Sequence, residues 1–382
     1  MLLKKPVYLL GLVRTPIGSV GGNLSSLSAA DLAVFAVNGA LEAAEAPARH
    51  VDHLVLGNVA AGIAASGIAR QTCRRSGLSE RVAAHCVNTA CGSGMQAIIA
   101  AARMVQLEEA ACVVAGGAES MSKAAGLFRD SRSLTDPVSP LELFGRSSDT
   151  VQGLMQQYAL SPSEQAGRVT ESRRRFEQAR QEGRFASQIA AVCTTGTDGV
   201  PALITGDEPD FAEPAPAPAL GSGDREAPRP PARHFIPFAD GAAAALVVDE
   251  RMFCSLERFP ACELLGYAAA GGAPSALGTC SMAAVKTLLG AAGLSPGEVD
   301  LIELHELFSG HALVWARELR LDSGRVNSLG DSACFGNPIG CSGARIVVTL
   351  SHAMEQGSAR YGIAAVESLD GTGVALLLRA AG

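Results

Sequence analysis

The sequence predicts a layered α/β fold made of two similar halves and interrupted by one insertion. Three observations carry that expectation. Short apolar segments alternate with Ala-rich helical stretches along most of the chain, the pattern of helices stacked on buried strands. A small-residue turn, a helix and a returning apolar strand occur twice with the same spacing, as a duplicated unit would show. One stretch, 196–237, is rich in Pro, Gly and Asp and breaks the rhythm.

The apolar segments are Val7–Val13, His53–Leu56, Ala111–Ala115, Ala243–Val248, Leu301–Glu303 and Gly362–Val366. Their unbroken apolar character predicts strands covered on both faces and mostly parallel. Met1 to Val13 carries two lysines and a short apolar run, yet no small-residue cleavage site follows. It reads as a first strand ending in the turn Arg14-Thr15-Pro16-Ile17-Gly18. The repeated unit opens once at Asn88-Thr89-Ala90-Cys91-Gly92-Ser93-Gly94 and leads to Cys112–Gly116. It opens again at Asn337-Pro338-Ile339-Gly340-Cys341-Ser342-Gly343 and leads to Gly362–Val366. Each copy presents a helix N-terminus to a shared site. Within 196–237, Pro214-Ala215-Pro216-Ala217-Pro218 and Pro228–Pro231 predict loop, with a polar helix of about residues 162–183 belonging to the same insertion. The expected organisation is a first half over 1–122, an insertion over 123–237 that returns to the first half near 238–250, and a second half over 251–382.

Composition excludes several function classes. Of 382 residues, 48% are hydrophobic and only 4% aromatic, which favours tight helix–sheet packing and argues against stacking platforms for single-stranded nucleic acid. A net charge of −7 supplies no basic field for DNA or RNA. The run Arg173-Arg174-Arg175 sits in the polar helix and reads as a solvated face. No apolar run reaches membrane-spanning length. Ten cysteines without a CxxC pair, in a long chain, read as reduced and mostly buried, and so as a cytoplasmic protein. His85, His311 and His352 show no metal-ligand spacing, and no metal is expected.

Cys91 is the residue that most invites chemistry. It directly precedes Gly92-Ser93-Gly94 and the helical run Met95–Leu107, which puts its thiol at a helix N-terminus. Unpaired N–H groups and the positive end of the helix dipole there lower a thiol pKa and can receive a carbonyl oxygen turning into an oxyanion. A small buried structural cysteine is the competing reading, and these residues alone do not choose between the two.

The segment Val87-Asn88-Thr89-Ala90-Cys91-Gly92-Ser93-Gly94-Met95-Gln96-Ala97-Ile98 resembles the nucleophile segment of thiolases. The resemblance continues in order through Arg14–Gly18, Ala115-Gly116-Gly117-Ala118-Glu119-Ser120-Met121-Ser122, Asp240-Gly241-Ala242-Ala243-Ala244 and Gly336–Arg345. It implies a duplicated five-layer α/β/α/β/α thiolase fold with a loop-domain insertion. It also implies a homodimer or homotetramer and Cys91 as the acylated residue. No bound cofactor is implied; the substrate would be an acyl thioester of coenzyme A or of an acyl carrier protein.

Three partner positions depart from the family. Where thiolases usually carry Asn-Glu-Ala-Phe, this chain reads His305-Glu306-Leu307-Phe308. The Gly-His-Pro segment reads Gly336-Asn337-Pro338. The second cysteine aligns with Glu367, and a slip of one residue would place Ser368 there instead. Ile236 replaces a Ser that stands near pantetheine in the family, and Ser147-Ser148 replaces a Met-Gly; these departures point away from the usual coenzyme A pose and toward a carrier-protein-bound acyl group. Cys91, His305 and Asn337 together resemble the Cys/His/Asn set of initiating ketoacyl synthases. His305 would then serve as base or oxyanion donor, Asn337 as neutral donor, and Glu367 either as an α-proton base or as a polar residue of a remodelled loop. The implied activity is a biosynthetic acyltransferase that makes a carbon–carbon bond by Claisen condensation. The alternatives are acyl transfer to nitrogen, oxygen or aromatic carbon, a conventional thiolase, and a non-catalytic partner subunit.

Overall fold

A computed structural model describes residues 1–60, 67–124, 150–195, 200–208, 236–256, 261–273 and 276–381. Its strands are β1 (Val7–Arg14), β2 (Gly18–Ser19), β3 (His53–Gly57), β4 (Ala83–Val87), β5 (Cys112–Ser120), β6 (Val192–Thr195), β7 (Pro201–Ile204), β8 (Ala239–Asp249), β9 (Cys262–Gly271), β10 (Leu301–His305), β11 (Tyr361–Glu367) and β12 (Thr372–Ala380).

The duplication is visible in the pairing. The first half runs β1-β8-β5-β3-β4 and the second β9-β12-β11-β10. In the first, β1/β8 and β8/β5 are antiparallel while β5/β3 and β3/β4 are parallel. In the second, β9/β12 and β12/β11 are antiparallel and β11/β10 parallel, and a parallel bridge between Ile302 and Val326 stands where β4 would. Most strands of each half share one direction, as expected, and one strand in each, β8 or β12, runs against the others and makes antiparallel pairs on both sides. Helices cover both faces, so the strands read as apolar runs whatever their direction. A short antiparallel pairing of Tyr8 and Leu9 with Glu263 and Cys262 joins the two sheets.

Among the described residues, three helices recur in the same order in each half: Ala29–Ala43, Ile68–Arg75 and Ser93–Gln106, then Cys280–Ala292, His311–Leu319 and Ile339–Gln356. Strand alternation sorts side chains into three cores. Along β5, Val113 and Ala115 enter a central core, whereas Cys112 and Val114 enter an outer one with helix Ala29–Ala43. The central core holds Ser93–Gln106 and Ile339–Gln356 between the inner faces of both sheets. Helices Cys280–Ala292 and His311–Leu319 close the other side. These are the five layers. Helix Ile339–Gln356 is buried at every residue through Met354, as a middle layer requires. The two central helices touch backbone to backbone at their N-termini. A Cβ on Gly94 would lie 2.9 Å from the Ala344 Cβ, and one on Gly343 would lie 2.8 Å from the Met95 Cβ.

The insertion contributes helix Pro162–Gln181, which starts with a Ser161/Glu164 capping box and Pro162 in its first turn. Its Phe176 meets Phe335 edge-on at 5.0 Å between ring centres. Part of the stretch expected as loop is strand, since Val192–Thr195 pairs with Pro201–Ile204. Asp207 then folds back to hold the buried Arg14 with bonds of 2.6 and 2.9 Å. The proline runs at 214–218 and 228–231 lie outside the described residues. All ten cysteines are free, seven of them buried.

Candidate active site

Cys91 sits on the turn between β4 and helix Ser93–Gln106, 3% exposed. The residue before it, Ala90, is held at φ 49°, a left-handed conformation that costs a non-glycine residue about 1 kcal/mol. Local bonds hold it there: Thr89 N donates to Ser93 Oγ at 2.9 Å, and Ser93 Oγ donates to the Ala90 carbonyl at 2.6 Å. The helix has no side-chain cap of its own at Gly92. Its Gly92 N–H is met from the other half of the molecule by Ser368 Oγ at 3.2 Å, and that hydroxyl donates onward to the Thr89 carbonyl at 3.2 Å.

Burial pushes the Cys91 thiol up to about 12; the bond from Asn337 offsets part of this, and the Asp370 charge adds to it. The lowering expected at a helix N-terminus is thus reversed, because desolvation of a fully buried thiolate outweighs the terminal amides.

Asn337 donates from Nδ2 to Cys91 Sγ at 3.6 Å, while its Oδ1 accepts from Ser342 Oγ at 2.8 Å. Its backbone is clamped by the chain returning from the insertion: Asn337 N donates to the Pro237 carbonyl at 2.8 Å, and Ala239 N donates to the Asn337 carbonyl at 3.2 Å. Gly336, at φ 66° and ψ −170°, makes the bend that a side chain would resist.

His305 ends β10 and is fully buried. Its Nδ1 lies 3.0 Å from Ser332 Oγ, which also accepts the Glu306 N–H at 3.1 Å. Among the described residues the Ser332 hydroxyl has no other acceptor for its own proton, so it is assigned as the donor to Nδ1, which puts the imidazole proton on Nε2. Burial, with the Arg345 charge adding to it, pushes the His305 pKa down to about 3, so the ring is neutral at physiological pH. Nε2 is buried and makes no hydrogen bond; the adjacent Asn337 side chain favours the protonated ring, yet no bond of good geometry joins them. The arrangement offers two neutral donors, His305 Nε2–H and Asn337 Nδ2–H, on the Cys91 side of the second half.

Glu367, expected either as an α-proton base or as a polar residue of a remodelled loop, does not join this group. Val366 points into the central core, so alternation turns Glu367 to the outer side of β11. There its carboxylate accepts from Gly278 N, from Ser281 N at 3.1 Å and from Ser281 Oγ at 2.8 Å, at the start of helix Cys280–Ala292. His311 Nε2 stands 4.0 Å away. Ser368, one residue on, is the side chain that turns back toward Cys91.

Glu119 had no assigned role in the sequence. It accepts from Asn58 Nδ2 at 2.9 Å, Val59 N at 3.0 Å, Ala60 N at 3.2 Å and Gly340 N at 3.0 Å. Burial pushes its carboxyl up to about 7. One sequence signal pointed to such a residue. Helix Ile339–Gln356 begins after Pro338 with no Ser, Thr, Asp or Asn to cap it, so an acceptor had to come from elsewhere. Ile236 donates its N–H to the Leu307 carbonyl at 3.2 Å, while Ser147-Ser148 lies outside the described residues. Among the described residues, no three His, Cys, Asp or Glu side chains are grouped to hold a metal ion, and no helix is long and apolar enough to cross a membrane.

Comparison with known proteins agrees with the geometry. The family model for the thiolase N-terminal domain matches residues 7–251, and that for the thiolase C-terminal domain matches 259–380. A probable acetyl-CoA acetyltransferase of Escherichia coli K12 is 32% identical over 388 residues, spanning 98% of this chain and 99% of its own. An acetyl-CoA acetyltransferase of Saccharomyces pastorianus is 33% identical over 390 residues, spanning 95% and 96%. The human mitochondrial 3-ketoacyl-CoA thiolase superposes with a TM-score of 0.86 at 27% identity, spanning 99% of this chain and all of its own. Matched by both halves of one family across nearly its whole length, the chain belongs to the thiolases and is a thiolase-type acyltransferase, an enzyme of acyl transfer and Claisen-type chemistry.

Proposed function

We propose that Cys91 carries the acyl group as a thioester and that the enzyme works in the biosynthetic direction, condensing it with a second acyl thioester. The observation that carries this reading is Asn337 Nδ2 at 3.6 Å from Cys91 Sγ. Asn cannot exchange a proton near neutral pH, so the thiol has a hydrogen-bond donor there and no base. In the first step the Cys91 S–H attacks an acyl–coenzyme A or acyl-carrier thioester. The acyl–sulfur bond moves to Cys91, and the thiol proton leaves with the departing thiol. In the second step an α-carbanion attacks the acyl carbon and Cys91 leaves as the thiolate, to be reprotonated. His305 and Asn337 would stabilise the enolate or tetrahedral oxygen in these steps. With Glu367 facing the outer layer, a malonyl-type donor fits better than α-proton removal, because loss of carbon dioxide requires oxyanion donors but no base. The acting form on this reading is a cytoplasmic homodimer or homotetramer.

A non-catalytic partner subunit is the competing reading, and it draws on the burial that pushes the thiol up to about 12. Intact mass after incubation with acetyl-coenzyme A, followed by addition of malonyl-coenzyme A, decides. The expected result is an acetyl adduct that is absent in Cys91→Ala, then a 3-ketoacyl product with release of carbon dioxide, and poor cleavage of 3-ketoacyl-coenzyme A by the free thiol. Cleavage at rates typical of enzymes would overturn the condensing reading. No adduct with any coenzyme A or carrier-bound donor would favour the partner subunit.

A further inference from the structure

The insertion helix Pro162–Gln181 reaches the site through Arg168 and Ser172. Arg168 is 6% exposed and touches both arms that carry His305 and Asn337. Its Nη2 donates to Glu306 Oε1 at 3.4 Å, and its Nε stands 3.8 Å from Asp331 Oδ2. Glu306 follows His305 directly, and its carboxylate also accepts from Asn327 Nδ2 at 2.8 Å and Ala312 N at 3.2 Å. Asp331 caps the turn Ser332–Phe335 through Ala333 N at 2.9 Å, and its own N–H donates to Ser172 Oγ at 2.8 Å, again on the insertion helix. Ser332, the next residue, is the hydroxyl on His305 Nδ1. After Phe335 that turn runs directly into Gly336 and Asn337.

Arg168 therefore stands between two buried carboxylates, one on the residue whose N–H meets Ser332 Oγ and one on the residue before Ser332. Burial and the Glu306 charge already push Asp331 up to about 7. Without the guanidinium, Glu306 and Asp331 lose the contact that joins the two arms, in a buried cluster that also holds Glu303 and Arg345.

We propose that Arg168 is a positioning residue: by holding Glu306 and Asp331 together it keeps Ser332 donating to His305 Nδ1, and so keeps the imidazole proton on Nε2. The inference rests on the donor role given to His305 under the proposed function. It couples docking of the insertion helix to formation of the donor pair.

The test uses the full-length protein labelled with 15N-histidine. His305→Gln identifies the His305 signals, and the ring nitrogen shifts report the tautomer. Acylation of Cys91 and single-turnover condensation are followed separately. In the wild type the His305 signal should be that of the Nε2–H form. Arg168→Met should lose that signature, keep acylation, and slow condensation from the acyl-enzyme by about tenfold or more, toward the 10²–10³ of a lost oxyanion donor. Adding Asp331→Asn, which keeps the cap and removes one carboxylate, should recover part of both. Arg168→Lys, which keeps the charge without the fork, should fall between; it carries the test if the Met variant does not fold. An unchanged tautomer and condensation within about twofold of wild type would overturn the proposal. A changed tautomer with unchanged condensation would support the positioning role and overturn the donor role of His305 instead.

Discussion

Glu119 and Ser368 occupy the same station in the two halves. β3 pairs Gly57 with Gly117, β10 pairs His305 with Val366, and two residues further along lie Glu119 and Ser368. Each reaches across to the central helix of the other half: Glu119 accepts from Gly340 N at 3.0 Å, and Ser368 accepts from Gly92 N at 3.2 Å. The first is a carboxylate satisfied by four donors, so the N-terminus of helix Ile339–Gln356 is filled from within and serves structure. The second is a neutral hydroxyl, so the helix that carries Cys91 meets no charge from this station. A carboxylate there would disfavour both a thiolate and an oxyanion. One duplicated frame thus yields a structural helix terminus and a chemical one, and the difference lies in one side chain.

The sharpest way to break this contrast is to make the second station like the first. Ser368→Asp puts a buried carboxylate beside the Cys91 turn. It should lower the rate of Cys91 acylation by about 10²–10³, measured by intact mass against time. Ser368→Thr, which keeps the hydroxyl, should stay close to wild type. Equal rates in the Asp variant and the wild type would remove the basis for the comparison.

Making the first station neutral acts on stability. The Glu119 carboxyl is raised from 4.5 to about 7 in the fold. A raised carboxyl favours the folded state fully below the unfolded value, and that contribution is lost as pH rises through about 7. Glu119→Gln does not titrate and supplies only one oxygen for four donors, so it should be the less stable form near pH 4.5. The gap should then narrow by up to about 3 kcal/mol between the two pKa values, read from denaturant midpoints across pH. A gap independent of pH would mean that Glu119 does not titrate in this range.

The smallest catalytic effect is expected one residue before Ser368. Glu367→Gln loses part of the cap on helix Cys280–Ala292 and should cost about 1–3 kcal/mol of stability. Acylation and condensation should be unchanged, because the carboxylate lies on the outer side of β11. A loss of condensation with stability preserved would return Glu367 to the reaction.

The strands proposed at Val7–Val13, His53–Leu56, Ala111–Ala115, Ala243–Val248, Leu301–Glu303 and Gly362–Val366 all lie within or across observed strands, because continuous apolar runs flanked by turns have few other structures open to them. β4, β9 and β12 went unread: Ala83–Val87, Cys262–Gly271 and Thr372–Ala380 mix small and polar residues with apolar ones. The site divided in the same way. The turns that open the two central helices were legible from the small residues Gly92-Ser93-Gly94 and Gly340-Cys341-Ser342-Gly343, whereas the place of Asn337 beside Cys91 came from the family resemblance. Whether Glu367 or Ser368 faces Cys91 stayed open in the sequence because an alignment locates a residue along a strand, whereas the face it occupies follows from register, and one step reverses it.

By itself, the sequence determined the layered α/β class, the duplication, and the pairing of a cysteine with a helix N-terminus, since each depends on local pattern and spacing. Only the tertiary structure decided the protonation of the site and which groups share it. Burial raises the Cys91 thiol and holds His305 neutral, against what the isolated helix end and the free side chains would do. Ser332, Asn337, Ser368 and Arg168 reach the site from segments far apart in the chain. Desolvation and long-range hydrogen bonding are properties of the packed molecule, and no window of sequence contains them.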